Sequence, residues 1–177
     1  IEKALKKILK KDIRIIGAGR TDKGVHASGQ FANFKSIKKI DNKKKFLSSI
    51  NFFLHKSSIS IVDLKKKKKD FHARFSAKER VYTYYIVNRL ASLTLDKNKA
   101  WHVRRKINLE LLKKGGKTLV GTHDFSTFRA STCTAKSAVK KMNSIVIKKN
   151  QNKIILTFKS KSFLQNQVRS MVGCLEK

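Results

Sequence analysis

The feature that most constrains this chain is a glycine-rich loop that follows an apolar run, Gly17-Ala18-Gly19-Arg20-Thr21-Asp22-Lys23-Gly24-Val25-His26-Ala27. Residues Ile13 to Ile16 predict a short strand, so the loop begins where a strand ends. Glycine permits backbone conformations and close approaches that other residues disfavour, which suits a place where a ligand meets the backbone. The loop is therefore the first candidate for a functional site, with Asp22 as the residue to explain.

Three interpretations of this loop compete. A dinucleotide-binding turn is disfavoured, because Asp22 occupies its third glycine position and a carboxylate there repels a pyrophosphate. In the second interpretation, Asp22 is a solvated or capping acid of a surface turn. In the third, it is a catalytic carboxylate held by Arg20, two residues earlier on an extended segment and pointing the same way. The loop residues alone leave the second and third interpretations open.

The charge balance predicts a polyanionic partner. Lys and Arg number 43 against 11 Asp and Glu, which gives a net charge of +32 on 177 residues. Such a field favours RNA, because neutralising phosphates releases counterions without requiring sequence contacts. Part of the excess fits a lysine-rich composition bias, and the run Lys65 to Lys69 fits a solvated edge better than a reader of bases. With 40% hydrophobic residues the chain can bury a core.

Cysteine usage and hydropathy limit the protein class further. Cys133 and Cys174 lie far apart and lack Cys-x-x-Cys spacing, so neither a zinc site nor a disulfide framework is predicted. The sequence contains neither a signal peptide nor an apolar run long enough to span a bilayer. We therefore expect a soluble protein of the reducing cytoplasm.

The apolar periodicity predicts a mixed, α+β order of elements. Helices are predicted at Ile1 to Lys11, from Asn42 to Leu54, at Asn108 to Val120, and from Ser162 or Phe163 through Cys174. Strands are predicted at Ile13 to Ile16, Gln30 to Phe34, Ser58 to Leu64, Val81 to Val87 and Trp101 to Val103. Lys140 to Lys148 and Lys153 to Lys159 predict a β-hairpin.

Five short motifs follow one another in a fixed order. After the glycine-rich loop come Phe71-His72-Ala73-Arg74-Phe75-Ser76-Ala77, then Arg80-x-Tyr82-x-Tyr84, then Gly121-Thr122-His123-Asp124-Phe125, and last Phe163-Leu164 with Val168-Arg169 and Val172-Gly173. Together they resemble the TruA family of tRNA pseudouridine synthases, and the likeness spans nearly the whole chain.

The resemblance implies the pseudouridine synthase fold, in which two ferredoxin-like α/β halves share a continuous mixed, mostly antiparallel sheet. Residues 1–70 would form the N-terminal half with the catalytic Asp loop, and residues 71–177 the C-terminal half that completes the RNA cleft. It also implies a homodimeric isomerase that needs no cofactor and no metal. Its substrate would be uridine in the anticodon stem-loop of tRNA, at positions thirty-eight to forty.

The resemblance also assigns roles to residues of the catalytic site. Asp22 matches the catalytic carboxylate, and we expect it to be buried and steadied by the guanidinium groups of Arg20 and Arg169. Arg169 is expected on the apolar face of its helix, where only a carboxylate would compensate its charge. Tyr82 matches the tyrosine that stacks on the flipped base, which returns about 1–3 kcal/mol.

Other polar and aromatic residues receive simpler interpretations. Tyr84 and Tyr85 are interpreted as ordinary strand residues, with Tyr84 on the same side as Tyr82. The histidines of the motifs are expected to shape loops or touch phosphate, since they lack the spacing of a metal site. The candidates for RNA contacts, which position RNA without reading its sequence, are His72, Arg74, Arg80, His123 and Arg129.

The sequence departs from the family pattern at several points. Gln167 stands where methionine is usual, and His55 and Ala138 occupy positions where proline is common. The opening Asp-Gly and Gly-Trp-Gln segment and the elements after the Val-Gly motif are missing, so we expect truncation at both ends. The alternative function is therefore a catalytically incomplete, basic RNA-binding fragment of such an enzyme. A ribosomal-type protein is a third hypothesis.

Overall fold

The computed structural model describes residues 1–22, 24–36 and 39–177, so Lys23 of the glycine-rich loop lies outside the described residues. The described chain contains four α-helices and seven strands, which confirms the predicted α+β class. It divides into two compact units, Ile1–Thr21 with Ala27–Ala77 and Asp22–His26 with Lys78–Lys177. The predicted domains 1–70 and 71–177 remain a prediction. No helix within the described ranges is both long and apolar enough to cross a membrane.

The first unit combines two helices with a small antiparallel sheet. Its elements are α1 (Glu2–Leu9), β1 (Ile15–Gly17), β2 (Ala32–Phe34) and α2 (Lys43–Leu54). All four were predicted at these places. Asn42 caps α2, since its Oδ1 accepts a hydrogen bond from the Lys45 amide at 2.8 Å. The apolar faces of the two helices meet in a core of Ala4, Leu5, Phe46, Ile50 and Leu54.

The strand predicted over Ser58 to Leu64 is wrong, because this segment has no strand partner in the described structure. Its backbone is satisfied by a side chain instead. The Ile61 amide donates to Asn51 Oδ1 at 2.7 Å, and Asn51 Nδ2 donates to the Ile61 carbonyl at 2.8 Å. A side-chain amide thus replaces the neighbouring strand, which the alternation of apolar residues could not reveal.

The second unit is built on a five-stranded sheet. Its strands are β3 (Arg80–Asn88), β4 (Trp101–Val103), β5 (Gly121–Asp124), β6 (Val139–Asn150) and β7 (Lys153–Ser160). Their order is β4-β3-β7-β6-β5, and all pairs are antiparallel except β3 with β4. The sheet is therefore mixed and mostly antiparallel, as expected. The described strands form two separate sheets, because β1 and β2 pair only with each other, so one continuous sheet is not observed.

The predicted β-hairpin is confirmed and carries much of the core. Strand β7 alternates strictly, burying Ile154, Leu156, Phe158 and Ser160. The turn is shorter than predicted, since only Gln151 and Asn152 separate the two strands and Gln151 has φ of 51°. β5 was not predicted as a strand, although its residues were recognised as a motif.

Two helices complete the second unit, α3 (Leu109–Thr118) and α4 (Gln167–Glu176). Asn108 caps α3 as predicted, accepting hydrogen bonds from the Glu110 and Leu111 amides. Gly116 is needed where α3 approaches the sheet, because a Cβ there would lie 2.9 Å from Ile147 Cδ1. The predicted start of α4 at Ser162 or Phe163 is wrong. Asn166 adopts the left-handed region at φ of 62°, so the helix begins only after it.

Candidate active site

A tight turn presents Asp22 at the start of the second unit. The Asp22 carbonyl accepts a hydrogen bond from the Val25 amide at 3.1 Å, and Gly24 has φ of +82°. A Cβ at Gly24 would meet no atom within 4 Å, so the backbone conformation and not crowding calls for glycine. The left-handed region costs an L-residue about 1–2 kcal/mol. The Asp-x-Gly-Val spacing of the loop therefore encodes this turn.

The carboxylate of Asp22 pairs with Arg169, which lies near the other end of the sequence. Asp22 Oδ2 lies 3.8 Å from Arg169 Nη2. The Asp22 side chain is 37% exposed and the Arg169 side chain 57% exposed. The expectation of a buried Asp22 is therefore wrong. Arg169 also does not lie on the apolar face, which α4 forms with Met171 and Val172, so its charge stays partly hydrated.

This ion pair contributes orientation more than stability. Exposed pairs contribute about 0–1 kcal/mol, and 3.8 Å is longer than a charge-assisted hydrogen bond. The guanidinium at this distance can orient the carboxylate, while partial exposure leaves the carboxylate oxygens accessible. Chemically, the arrangement suits a carboxylate that must reach a bound substrate.

Tyr82 lies on β3 and packs against the segment that leads into α4. Its ring meets that of Phe163 edge to face, with centroids 4.9 Å apart. Tyr82 and Tyr84 both pack on the core, whereas Tyr85 is exposed beneath the Lys153 ammonium, so the strand alternates as predicted. Phe163 was not among the predicted site residues. Its motif position before Leu164 was the available signal.

Gln167 holds the same segment in place. Its side chain is 1% exposed, and its Oε1 accepts a hydrogen bond from the Leu164 amide at 2.8 Å. Its Nε2 has no hydrogen-bond partner within the described residues. Gln167 therefore occupies the position where methionine is usual with its amide oxygen hydrogen-bonded and its amide nitrogen unpaired within the described residues. Phe163 and Arg169 are consequently positioned by one short stretch of chain.

The predicted RNA-contact residues of the first unit form a compact cluster. His72 Nδ1 accepts a hydrogen bond from the Arg74 amide at 3.2 Å, and its ring lies 4.3 Å from that of Phe75. The Arg74 guanidinium lies over Phe75 at 5.9 Å. His72 therefore shapes the loop. Arg20 is exposed in this unit, and its role beside Asp22 remains a prediction.

Three further candidates lie in the second unit. Arg80 Nη1 donates to the Lys161 carbonyl, and His123 Nε2 lies 2.9 Å from the Val120 carbonyl. Arg129 follows a short 3-10 turn at Ser126–Phe128 and is exposed. Their contacts with RNA remain a prediction. Within the described ranges, no three His, Cys, Asp or Glu side chains are grouped closely enough to hold a metal ion.

These features define an α+β protein that pairs a partly exposed carboxylate with an arginine and packs a tyrosine on the segment before that arginine's helix. A model of the tRNA pseudouridine synthase family matches residues 116–177. The chain is 52% identical to tRNA pseudouridine synthase A of Pelagibacter ubique (strain HTCC1062), covering 99% of this chain and 72% of that protein.

Two further relatives carry the same name. The enzyme of Ehrlichia ruminantium (strain Gardel) is 43% identical over 99% of this chain and 71% of its own length. That of Anaplasma phagocytophilum (strain HZ) is 39% identical over 98% and 70%. The chain belongs to the TruA family of tRNA pseudouridine synthases, which are isomerases.

Proposed function

We propose that this protein converts uridine to pseudouridine in tRNA, in the anticodon stem-loop at positions thirty-eight to forty. One observation carries the proposal beyond family membership. Asp22 and Arg169 belong to the first and last of the five motifs, and the fold brings their charged groups to 3.8 Å. The net charge of +32 suits a polyanionic substrate.

The proposed reaction is an isomerisation that needs one carboxylate. Its product has the same atoms as its substrate, although the proton lost from C5 can exchange with solvent. The bond between uracil N1 and the sugar's anomeric carbon breaks, the base turns, and a bond forms from that carbon to C5. The proton leaves C5 and N1 gains one. Asp22 acts either as a nucleophile at the anomeric carbon, in which case its bond to the sugar breaks when C5 attaches, or as a base that removes the adjacent sugar proton and returns it when C5 attaches. Arg169 orients the Asp22 carboxylate.

In this proposal, Tyr82 stacks on the flipped base. Extracting a stacked base costs a few kcal/mol, and stacking on an aromatic ring returns about 1–3 kcal/mol. The edge-to-face contact with Phe163 fixes the plane of the Tyr82 ring. A tyrosine held in this way stacks on a base with little loss of conformational entropy.

The remaining expectations concern RNA contacts and the state of the protein. His72, Arg74, Arg80, His123 and Arg129 contact the RNA backbone in this proposal, and Arg20 supports Asp22. The active species is a homodimer in the cytoplasm. Sedimentation of the chain with and without tRNA would measure the stoichiometry directly.

Tritium release from tRNA labelled at uridine C5 tests the reaction. Asp22→Ala should lower release at least about a thousandfold while tRNA binding persists, because only the reacting group is lost. Asp12→Ala is the matched control, since Asp12 is an exposed aspartate paired with Lys6. It should leave release unchanged.

Two other outcomes would contradict the proposal. If the parent chain binds tRNA but releases no tritium, it acts as the basic RNA-binding fragment. If Asp22→Ala releases tritium as fast as the parent, Asp22 is only the acid of a surface turn.

A further inference from the structure

Five consecutive lysines, Lys65 to Lys69, form the most concentrated charge in the first unit. All five are exposed. A solvated edge was the interpretation of this run from sequence, and the exposure of all five lysines agrees with it. We call residues 65–71 the basic arch.

Side-chain amides anchor the chain on both sides of the basic arch. Before it, Asn51 on α2 makes two hydrogen bonds to the Ile61 backbone, at 2.7 and 2.8 Å. After it, Asn33 on β2 accepts from the Ala73 amide at 2.8 Å and donates to the Phe71 carbonyl at 3.5 Å. The backbone between these anchors cannot drift freely, so the lysines are presented together.

An aspartate at the entrance to the basic arch orders its first lysine. Asp63 Oδ2 lies 3.0 Å from Lys65 Nζ, and Asp63 Oδ1 accepts from the Leu64 amide at 2.7 Å. The hydrogen bonds from Lys65 and from the Leu64 amide lower the pKa of Asp63. Lys65 is therefore engaged within the protein, which leaves the next three lysines as the free positive group.

Those three lysines line a cavity of about 690 Å³ together with Asp70, Phe71 and Ser76. The Lys67 ammonium lies over the Phe71 ring, 5.8 Å from its centroid. A single carboxylate, that of Asp70, offsets three ammonium groups. Ammonium groups that line one cavity repel one another, and an anion that enters the cavity offsets their charge.

We propose that this cavity binds the phosphodiester backbone of RNA. The inference rests on the proposed function, because it takes tRNA as the bound RNA. Lysine ammonium groups favour phosphate as point charges without reading bases. Because the anchors hold the basic arch before RNA arrives, less conformational entropy is lost on binding than for a flexible run.

The test is the salt dependence of tRNA binding by the 177-residue chain and a variant carrying Lys66→Gln, Lys67→Gln and Lys68→Gln. Each phosphate contact contributes about 0.7–0.9 to the slope of log affinity against log salt. The magnitude of that slope should be smaller by about two in the variant, and the variant should bind tRNA roughly tenfold more weakly, or weaker still, at low salt. An arginine version of the same triple keeps the charge and should retain the slope.

A matched control removes the same charge elsewhere in the first unit. Lys43, Lys44 and Lys45 are three consecutive exposed lysines at the start of α2. Their triple glutamine variant should change the slope far less. Equal decreases of the salt slope in both variants would show that only the overall positive charge matters, and would overturn the proposed site. An unchanged slope in the arch variant would overturn it as well.

The binding readout separates this inference from the proposed function. If the parent chain releases no tritium, but the salt slope falls in the arch variant and not in the control variant, the proposed enzymatic function is contradicted and the proposed RNA-binding site is supported. A parent that turns over tRNA but whose arch variant matches the control would contradict only the site.

Discussion

The two units of this protein differ in the size of their cores and sheets. The second unit buries twelve residues in one core over long paired strands, with β6 spanning 12 residues and β7 spanning 8. Among the described residues, the core cluster of the first unit has five buried residues, all on its two helices, and its two strands have three residues each. Where backbone pairing ends in the first unit, Asn33 and Asn51 supply the missing hydrogen bonds. The second unit also uses a side-chain anchor, since Asn88 donates to the Val103 and Arg105 carbonyls and accepts from the Ile107 amide. The two units therefore differ in the size of core and sheet, and not in the kind of anchor.

The division extends to the proposed chemistry. The Asp22 pair and Tyr82 belong to the unit with the larger core, which suits groups that must be held at fixed distances. The basic arch belongs to the unit with the smaller core. Phosphate binding tolerates looser geometry, because it depends mainly on charge.

The largest expected effects come from removing one core residue in each unit. Phe158→Ala should destabilise the second unit by about 3–5 kcal/mol, because Phe158 is fully buried and leaves a cavity. Leu5→Ala should cost about 2–3 kcal/mol, because the five-residue core can relax more readily. Urea unfolding with hydrogen exchange would measure both. Equal costs would remove the contrast between the two cores.

Arg169→Lys should separate turnover from binding. Lysine keeps the charge but loses the planar guanidinium, so tritium release should fall about tenfold to a hundredfold, equivalent to about 1.4–2.7 kcal/mol. Affinity for tRNA should change much less. The glutamine variant of the basic arch should show the reverse pattern. Parallel losses of turnover and affinity in Arg169→Lys would make Arg169 a phosphate contact only.

The two helix caps provide an equivalent change in each unit. Asn42→Ala removes the cap of α2, and Asn108→Ala removes the cap of α3. Each should lower the free energy of unfolding by about 1 kcal/mol, because one or two amides lose their acceptor. Thermal unfolding followed by circular dichroism would measure both. A cost confined to one unit would show that the other helix is held by packing alone.

The smallest effects concern two exposed aspartates. A hydrogen bond from Lys65, and then one from the Leu64 amide, lowers the pKa of Asp63. The hydroxyl of Ser126, and then its amide, lowers the pKa of Asp124. A carboxyl whose pKa is lower when folded stabilises the protein above its unfolded pKa of about 3.9. That contribution is lost as the pH falls through the folded value.

Asp63→Asn and Asp124→Asn should therefore lower stability slightly at neutral pH and less at strongly acidic pH. Paired urea titrations at the two pH values would measure the difference. A deficit that grows on acidification would contradict the assigned hydrogen bonds.

Much of the fold was predictable from local patterns. Apolar spacing located α2 and α3, and alternation located β3 and the β6–β7 hairpin, because neighbouring residues determine these features. The order of the motifs indicated the family. Asp22 and Arg169 were named together from that resemblance.

The remaining features depended on residues distant in sequence. The alternating apolar residues of 58–64 suggested a strand, but the backbone of Ile61 is satisfied by Asn51. Helix α4 begins later than predicted because Asn166 adopts a left-handed conformation. Asparagine permits this conformation but does not require it. Exposure of Asp22 and Arg169 likewise depends on how the turn and α4 pack.

The sequence by itself determined the element types of most of the chain, its basic character and the identity of the candidate reacting residues. Those properties follow from residue type and short-range spacing. Only the tertiary structure decided that Asp22 and Arg169 stand 3.8 Å apart and partly exposed, and that the five lysines lie on an anchored arch. The distance between two side chains, and the exposure of a residue in a turn, depend on contacts between segments far apart in the chain, which local periodicity does not specify.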